Sequence, residues 1–221
     1  MPQFVVHSVP GSPYGRAVLA TLIEKGADFR FAAVAPMAMK APEHMARHPF
    51  GRVPVIEHGD FRLFETQAIV RYIDRAFGGP ALTPADPKAA GLMDQAMNIC
   101  DWYFFQGVNS TIGFQRVVGP RVMGSTPDME IIKAAMPRAR QVFAVLDSLL
   151  AGRPYFAGDQ ISLADLMLAA QIDFFVDIPE WAELGAPQAN VSSWIARMNA
   201  RPSMKGTTWD AVTAMANTPR A

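Results

Sequence analysis

The sequence predicts an α/β domain followed by an all-helical domain. In the first 79 residues, short runs rich in β-branched and aromatic residues alternate with stretches of helical periodicity, whereas beyond residue 88 only helical periodicity is found. Residues 80–87 hold three prolines, a composition typical of a linker. We therefore predict a first domain at 1–79, a linker at 80–87 and a helical domain at 88–221.

The first domain is predicted to have the element order βαβ, an irregular segment, then ββα. A strand at residues 3–6 precedes a loop rich in Pro and Gly, and a helix beginning at Tyr14 ends near Gly26. The later elements are a strand at 29–34, a hairpin with strands at 53–57 and 61–64, and a helix at 66–77.

The second domain is predicted to contain four longer helices. Pro137 should kink the second of them or mark its start. Ser162 and Asp165 have the spacing of a capping box ahead of an apolar helix, which we interpret as structural. The four predicted helices are 88–118, 128–151, 162–177 and 190–200.

Composition excludes several classes of function. Lys plus Arg and Asp plus Glu both number 20, with no block of like charge, so nucleic acid is not the expected partner. No apolar run is long enough to span a membrane and no leader peptide is recognisable, which predicts a cytoplasmic protein. The single cysteine, Cys100, excludes a C-x-x-C pair and is expected to be a small buried residue. His44 and His48 have no obvious third ligand nearby, so no metal is expected.

Two features of the first domain fit a peptide ligand. Pro54 follows the β-branched Val53 at a strand entrance, which makes the bond between them a candidate cis bond. A cis bond would turn the Val53 backbone outward, where it can pair with an extended peptide. Glu65 and Thr66 begin a helix, and a helix N-terminus with a carboxylate beside it suits the zwitterionic end of an amino acid. In the structural alternative, Thr66 is only an N-cap.

Several short motifs follow one another along the chain in a characteristic order and spacing. The first domain contains Ser12, KAPEH at 40–44, HPFGRVP at 48–54 and ETQAI at 65–69. The second contains GDQISLAD at 158–165 and ARP at 200–202. Together these motifs resemble the cytosolic glutathione transferases, most nearly the phi and theta classes and their bacterial relatives. The resemblance implies a thioredoxin-like first domain, a helical-bundle second domain and glutathione as co-substrate.

The resemblance also implies roles for individual residues. Ser12 resembles the hydroxyl that activates the glutathione thiol, although Tyr14 and Ser8 remain alternatives because spacing does not separate them. Lys40 resembles the cation that holds the glycine carboxylate. The other glutathione-binding positions implied are Arg52, Val53, Pro54, Glu65 and Thr66.

Further positions concern the second substrate and a second subunit. Tyr14, Phe105 and Phe114 are expected to line the pocket for the electrophile, although helical aromatic residues are more often core. Asp101 is expected to reach across a homodimer towards the γ-glutamyl amine, with a solvated helix charge as the alternative.

The implied function is conjugation of the glutathione thiolate to small hydrophobic electrophiles, in detoxification. One alternative is a glutathione-dependent isomerase, dehalogenase or peroxidase on the same scaffold. Another is a regulatory protein that binds glutathione without turnover.

Overall fold

The computed structural model describes residues 3–217 and divides into two compact units. The first unit comprises the described residues up to Ala81 together with those from Ala200 onwards. The second comprises Leu82–Asn199, so the division falls inside the segment predicted to be a linker.

The first unit is built on a four-stranded mixed sheet with the order β2-β1-β3-β4. β1 pairs parallel to β2 and antiparallel to β3, and β3 pairs antiparallel to β4 across the predicted hairpin turn. The strands are β1 at Phe4–Ser8, β2 at Arg30–Ala33, β3 at Val55–His58 and β4 at Phe61–Phe64.

Within residues 3–81, three α-helices and one 3₁₀ turn accompany the sheet. The first helix ends just before Gly26, whose φ of 62° is the left-handed conformation that glycine adopts readily. These elements are α1 at Pro13–Glu24, a 3₁₀ turn at Pro36–Lys40, α2 at Pro42–Met45 and α3 at Thr66–Ala76. The predicted βαβ–ββα order is confirmed, and the 3₁₀ turn and α2 lie in the segment predicted to be irregular.

The second unit is helical, as predicted. The first long helix continues as a π-helical segment, and Pro137 lies inside α5 rather than at its start. The elements are α4 at Pro87–Ile99, the π-helical segment at Cys100–Met123, α5 at Met129–Leu150, α6 at Leu163–Val176, α7 at Trp181–Leu184 and α8 at Ala189–Asn199.

The capping box predicted at the start of α6 is present, and its acid is fully buried. The Asp165 carboxylate accepts hydrogen bonds from the Phe156 and Ser162 N–H groups, the Ser162 hydroxyl and the Trp194 indole N–H, at 2.7–3.0 Å. Burial raises the pKa of Asp165, and these four hydrogen bonds oppose that shift. Asp165 therefore joins α6, α8 and the loop before α6.

The last described elements return to the first unit. α9 at Pro202–Lys205 packs on α1, and α10 at Trp209–Asn217 packs on β2. The sequence predicts one helical domain at 88–221, whereas the division into compact units groups the described residues from Ala200 onwards with the first unit. Their helical periodicity is local, whereas the ion pair between Arg201 and Glu24 of α1 is a long-range contact that the pattern does not contain.

Candidate functional site

Three chain segments leave the sheet at the same end. β1 and β3 are antiparallel with His7 opposite Val55, so the end of β1 lies beside the start of β3. β3 and β4 are antiparallel with Val55 opposite Phe64, so the end of β4 lies there as well. Three segments therefore meet along one edge of the first unit, at this end of the sheet: the loop carrying Ser12, the Val53–Pro54 entrance to β3 and the start of α3.

A fourth segment reaches the same end through β2. β2 runs parallel to β1 with Ser8 opposite Ala33, and the chain leaving it forms the 3₁₀ turn that ends at Lys40. The sheet topology thus brings the predicted glutathione-binding residues of the first unit to one edge.

Ser12 is the N-cap of α1. Its Oγ accepts a hydrogen bond from the Gly15 N–H at 3.1 Å, which satisfies one of the free donors of the first helical turn. This bond uses a lone pair and leaves the hydroxyl proton available, and no acceptor for it is found among residues 3–217. Ser12 is half-buried, so a bound molecule can reach this donor at the positive end of the α1 dipole.

The two alternative hydroxyls differ from Ser12 in their surroundings. The Ser8 hydroxyl is fully buried and lies against Gly15, where even a β-carbon on the glycine would overlap it. That position excludes Ser8 from contact with a ligand at the sheet edge. Tyr14 is half-buried in the first turn of α1, so it stays an alternative to Ser12.

Arg16, four residues after Ser12, is a buried residue of α1 and not a surface charge. Its side chain is only 7% exposed, and its guanidinium donates to the Met204 carbonyl of α9 at 3.2 Å. The signal that could have found it is the apolar run that follows, AVLATL at 17–22, because α1 is buried on all sides over this stretch.

The peptide bond between Val53 and Pro54 is cis, as predicted. Val53 is half-buried and precedes β3, which begins at Val55 rather than at residue 53. Within residues 3–217 its N–H and C=O groups have no hydrogen-bond partner. These groups can therefore pair with an extended peptide backbone.

Glu65 has a strained backbone at the start of α3. Its φ of 72° and ψ of 113° lie outside the regions that non-glycine residues favour. Such a conformation costs free energy, and residues that adopt it cluster at functional sites. Its side chain does not cap the helix, and the Thr66 hydroxyl has no hydrogen-bond partner within residues 3–217. Sequence patterns carry no signal for this conformation.

The predicted cations lie on exposed chain beside this edge. The Lys40 ammonium donates to the Phe50 carbonyl at 3.0 Å, which places it over the segment leading to Pro54. Arg52 is exposed and lies in the same segment.

The pKa of His48 depends on the charges along this edge. It is buried, and that burial lowers the pKa of its imidazole. The Glu65 carboxylate opposes this lowering of the pKa, whereas His44, Arg52 and Lys40 reinforce it. A carboxylate and two cations therefore act on one buried ring.

In the helical unit, Asp101 and Phe105 are half-buried and Phe114 is partly exposed. A cavity of about 550 Å³ lies between α4 and α5, and it is lined by Tyr103 and Arg138 rather than by the two phenylalanines. Phe105 and Phe114 therefore do not line this cavity, and their expected role stays a prediction.

Among residues 3–217, no cluster of three His, Cys, Asp or Glu side chains is arranged to hold a metal ion. In the same described part of the chain, no helix is long and apolar enough to cross a membrane.

Family models match both units. The glutathione S-transferase N-terminal domain matches residues 2–75, and the glutathione S-transferase C-terminal domain matches residues 89–202. The chain belongs to the glutathione S-transferase family. The predicted resemblance is thereby confirmed, and the relatives include plant phi-class transferases.

Individual relatives cover most of the chain. Glutathione S-transferase F14 of Arabidopsis thaliana is 33% identical over 194 residues, which span 85% of this chain and 76% of the relative. The crystal structure of glutathione transferase F7 from Populus trichocarpa is 28% identical, covers 97% of this chain and 100% of its own, and superposes with a TM-score of 0.84. The theta-class enzyme of Xanthomonas axonopodis pv. citri, solved with glutathione bound, is 26% identical, covers 94% and 98%, and has a TM-score of 0.82.

Proposed function

We propose that this chain conjugates the thiolate of glutathione to small hydrophobic electrophiles and that the Ser12 hydroxyl stabilises the thiolate. The observation that carries the proposal is the Ser12 N-cap. Its oxygen is fixed by the Gly15 N–H, while its proton is available to a sulfur anion. The family relationship supports glutathione as the co-substrate.

The bound tripeptide would be held along the edge where the four segments meet. Val53 would pair with the cysteinyl backbone, and Glu65 and Thr66 would hold the γ-glutamyl ammonium and carboxylate. Lys40, assisted by Arg52, would attract the glycine carboxylate. In this arrangement the thiol would lie near the loop between β1 and α1, which carries Ser12.

A hydrogen bond from one hydroxyl can supply the free energy needed to lower the pKa of the glutathione thiol. A thiol with a pKa of about 8.5 is only a few per cent ionised at neutral pH, and the thiolate is the nucleophile. A hydrogen bond to a charged group contributes about 1.5–3 kcal/mol, which lowers a pKa by about one to two units. The thiol proton passes to solvent, and the thiolate sulfur then forms a C–S bond with the electrophile. In a substitution the leaving group departs with the electron pair of its own bond, and in an addition the double bond or ring that opens takes up a proton from solvent. Neither course needs a metal ion or a redox step.

The test is the ultraviolet absorbance of the bound glutathione thiolate against pH, for wild type and for Ser12→Ala. We expect wild type to form the thiolate well below pH 8.5, and Ser12→Ala to bind glutathione without that shift. Ser12→Thr keeps the hydroxyl and should keep most of the shift. Tyr14→Phe should also keep it.

Ser12→Ala also removes a helix cap, at a cost of about 1 kcal/mol. A matched control is Asp86→Ala, because Asp86 caps α4 by accepting from the Ala89 N–H at 2.8 Å. The control should lose similar stability and leave the thiolate unchanged. Loss of the shift in Tyr14→Phe alone would transfer the role to Tyr14, and glutathione binding by wild type without any shift would favour the regulatory binding protein.

We also propose a homodimer that acts in detoxification in the cytoplasm, where glutathione is the thiol pool. Family membership supports this, since the family typically forms dimers. Light scattering should then give twice the 24.1 kDa of one chain. Asp101→Asn should weaken glutathione binding if its carboxylate reaches the partner's ligand, and a monomer would remove that role.

A further inference from the structure

His44 has no role in the proposed chemistry, yet it is buried beside the residues that bind glutathione. It lies in α2 and is only 3% exposed. Its Nε2 is 2.7 Å from the carbonyl oxygen of Arg52. A carbonyl oxygen can only accept, so Nε2 carries the proton and donates. The other ring nitrogen, Nδ1, is buried and has no partner within residues 3–217.

The accepting carbonyl belongs to the peptide unit that joins Arg52 to Val53. The C=O and N–H of one peptide unit lie in a single plane and point in opposite directions. A hydrogen bond that fixes the Arg52 oxygen therefore also fixes the direction of the Val53 N–H. Because linked hydrogen bonds polarise one another, the same bond makes that N–H a better donor.

Other side chains anchor the segment before this peptide but do not reach it. The Lys40 ammonium donates to the Phe50 carbonyl at 3.0 Å, and the Phe50 N–H donates to Nδ1 of His48 at 3.3 Å. Both bonds end at Phe50. Among residues 3–217, His44 is the group that holds the Arg52 carbonyl.

We propose that His44 is a positioning residue for glutathione, which orients the Arg52–Val53 peptide so that Val53 presents its N–H to the cysteinyl carbonyl. The inference rests on the proposed function, because it requires Val53 to bind the glutathione backbone. His44 contacts neither the thiol nor the electrophile. Its removal should weaken binding without slowing the chemical step.

The experiment compares His44→Leu with His44→Gln. Leucine fills the space and removes the donor, whereas the glutamine amide presents an N–H at nearly the same distance from the backbone as Nε2. We expect His44→Leu to raise the calorimetric Kd for glutathione and for S-methylglutathione about tenfold, with kcat at saturating glutathione within twofold of wild type. His44→Gln should restore Kd to within about twofold.

His7→Leu is a matched control for general destabilisation. His7 is another buried histidine of the same unit, and its side chain hydrogen-bonds Glu57 rather than the backbone before Val53. His7→Leu should lower the melting temperature while leaving the Kd for glutathione unchanged. If His44→Leu fails to fold, His44→Asn replaces it, because the shorter amide cannot reach the Arg52 oxygen.

The outcomes separate the two proposals. Wild-type affinity in His44→Leu, or failure of a well-folded His44→Gln to restore binding, would overturn the role of His44 while leaving the proposed function intact. Absence of glutathione binding by wild type would overturn both.

Discussion

Glu24 of α1 and Arg201, 177 positions further along the chain, form a bidentate ion pair with N–O distances of 2.8 and 2.7 Å. The Ser203 hydroxyl donates to the same carboxylate. Burial alone would raise the pKa of Glu24, but these hydrogen bonds and the guanidinium charge outweigh it and lower the pKa. The pair therefore stabilises the return of the chain to the first unit in a pH-dependent way.

Glu24→Gln should destabilise the protein at neutral pH by about 2 kcal/mol, because it removes charge-assisted hydrogen bonds. A depressed folded-state pKa contributes stability above the ordinary value of 4.5, and this is lost as pH falls through the folded value. The difference in melting temperature between wild type and variant should accordingly shrink below pH 4.5.

The exposed pair of Glu183 and Arg140 provides the comparison. Both side chains are about half exposed, so Glu183→Gln should cost less than about 1 kcal/mol. Equal effects of the two substitutions, or a difference in melting temperature for Glu24→Gln that does not narrow as the pH falls below 4.5, would contradict this account.

Gly11→Ala should damage both stability and activity. Gly11 precedes Ser12 and has a φ of 86°, and a β-carbon there would overlap the indole ring of Trp209 in α10. The backbone cost is about 1–2 kcal/mol and the overpacking cost about 1–3 kcal/mol. Displacement of the loop should also lower kcat/KM for conjugation.

Gly26→Ala isolates the backbone term. Gly26 has a φ of 62°, but a β-carbon there meets nothing within 4 Å. It should cost only about 1–2 kcal/mol and leave kcat/KM unchanged. Adding Trp209→Ala to Gly11→Ala should recover part of the activity, and equal denaturation midpoints for the two glycine variants would refute the steric argument.

The parts of the fold that sequence predicts are those fixed by local pattern. Helical periodicity located α1, α3 and α5, and Gly26 marked the end of α1, because a buried stripe and a helix end are properties of neighbouring residues. The short helices α7 and α9 span four residues each, too few to show a period. The place of α10 depends on contact with β2, which no local pattern contains.

The candidate site divides in the same way. An X-Pro bond at a strand entrance is a local sequence pattern, so Pro54 could be selected from it. Ser12 was indicated by the family resemblance, and its place as the N-cap of α1 comes from the structure. The positive φ of Glu65 and the contact between His44 and the Arg52 carbonyl depend on tertiary structure. From sequence, His44 could be considered only as a metal ligand, because its hydrogen bond to the Arg52 carbonyl is a tertiary contact.

Asp165→Ala should be among the most destabilising substitutions in the helical unit. It leaves four buried donors without an acceptor, which should cost about 3–5 kcal/mol. Asp128→Ala removes the exposed N-cap of α5, where Asp128 accepts from two backbone N–H groups, and should cost about 1 kcal/mol. Urea denaturation midpoints of the two variants test this prediction. A smaller drop in the midpoint for Asp165→Ala than for Asp128→Ala would contradict it.

The protein's own thiol should be inert in the native state. Cys100 is fully buried, and that burial, with a smaller contribution from Asp101, raises the pKa of its thiol well above the ordinary value. Because only the thiolate reacts, a disulfide reagent should label native protein slowly and release one equivalent only in denaturant. Iodoacetamide should leave conjugation activity intact, since the reacting sulfur belongs to glutathione. Rapid labelling of folded protein with loss of activity would instead place Cys100 in the chemistry.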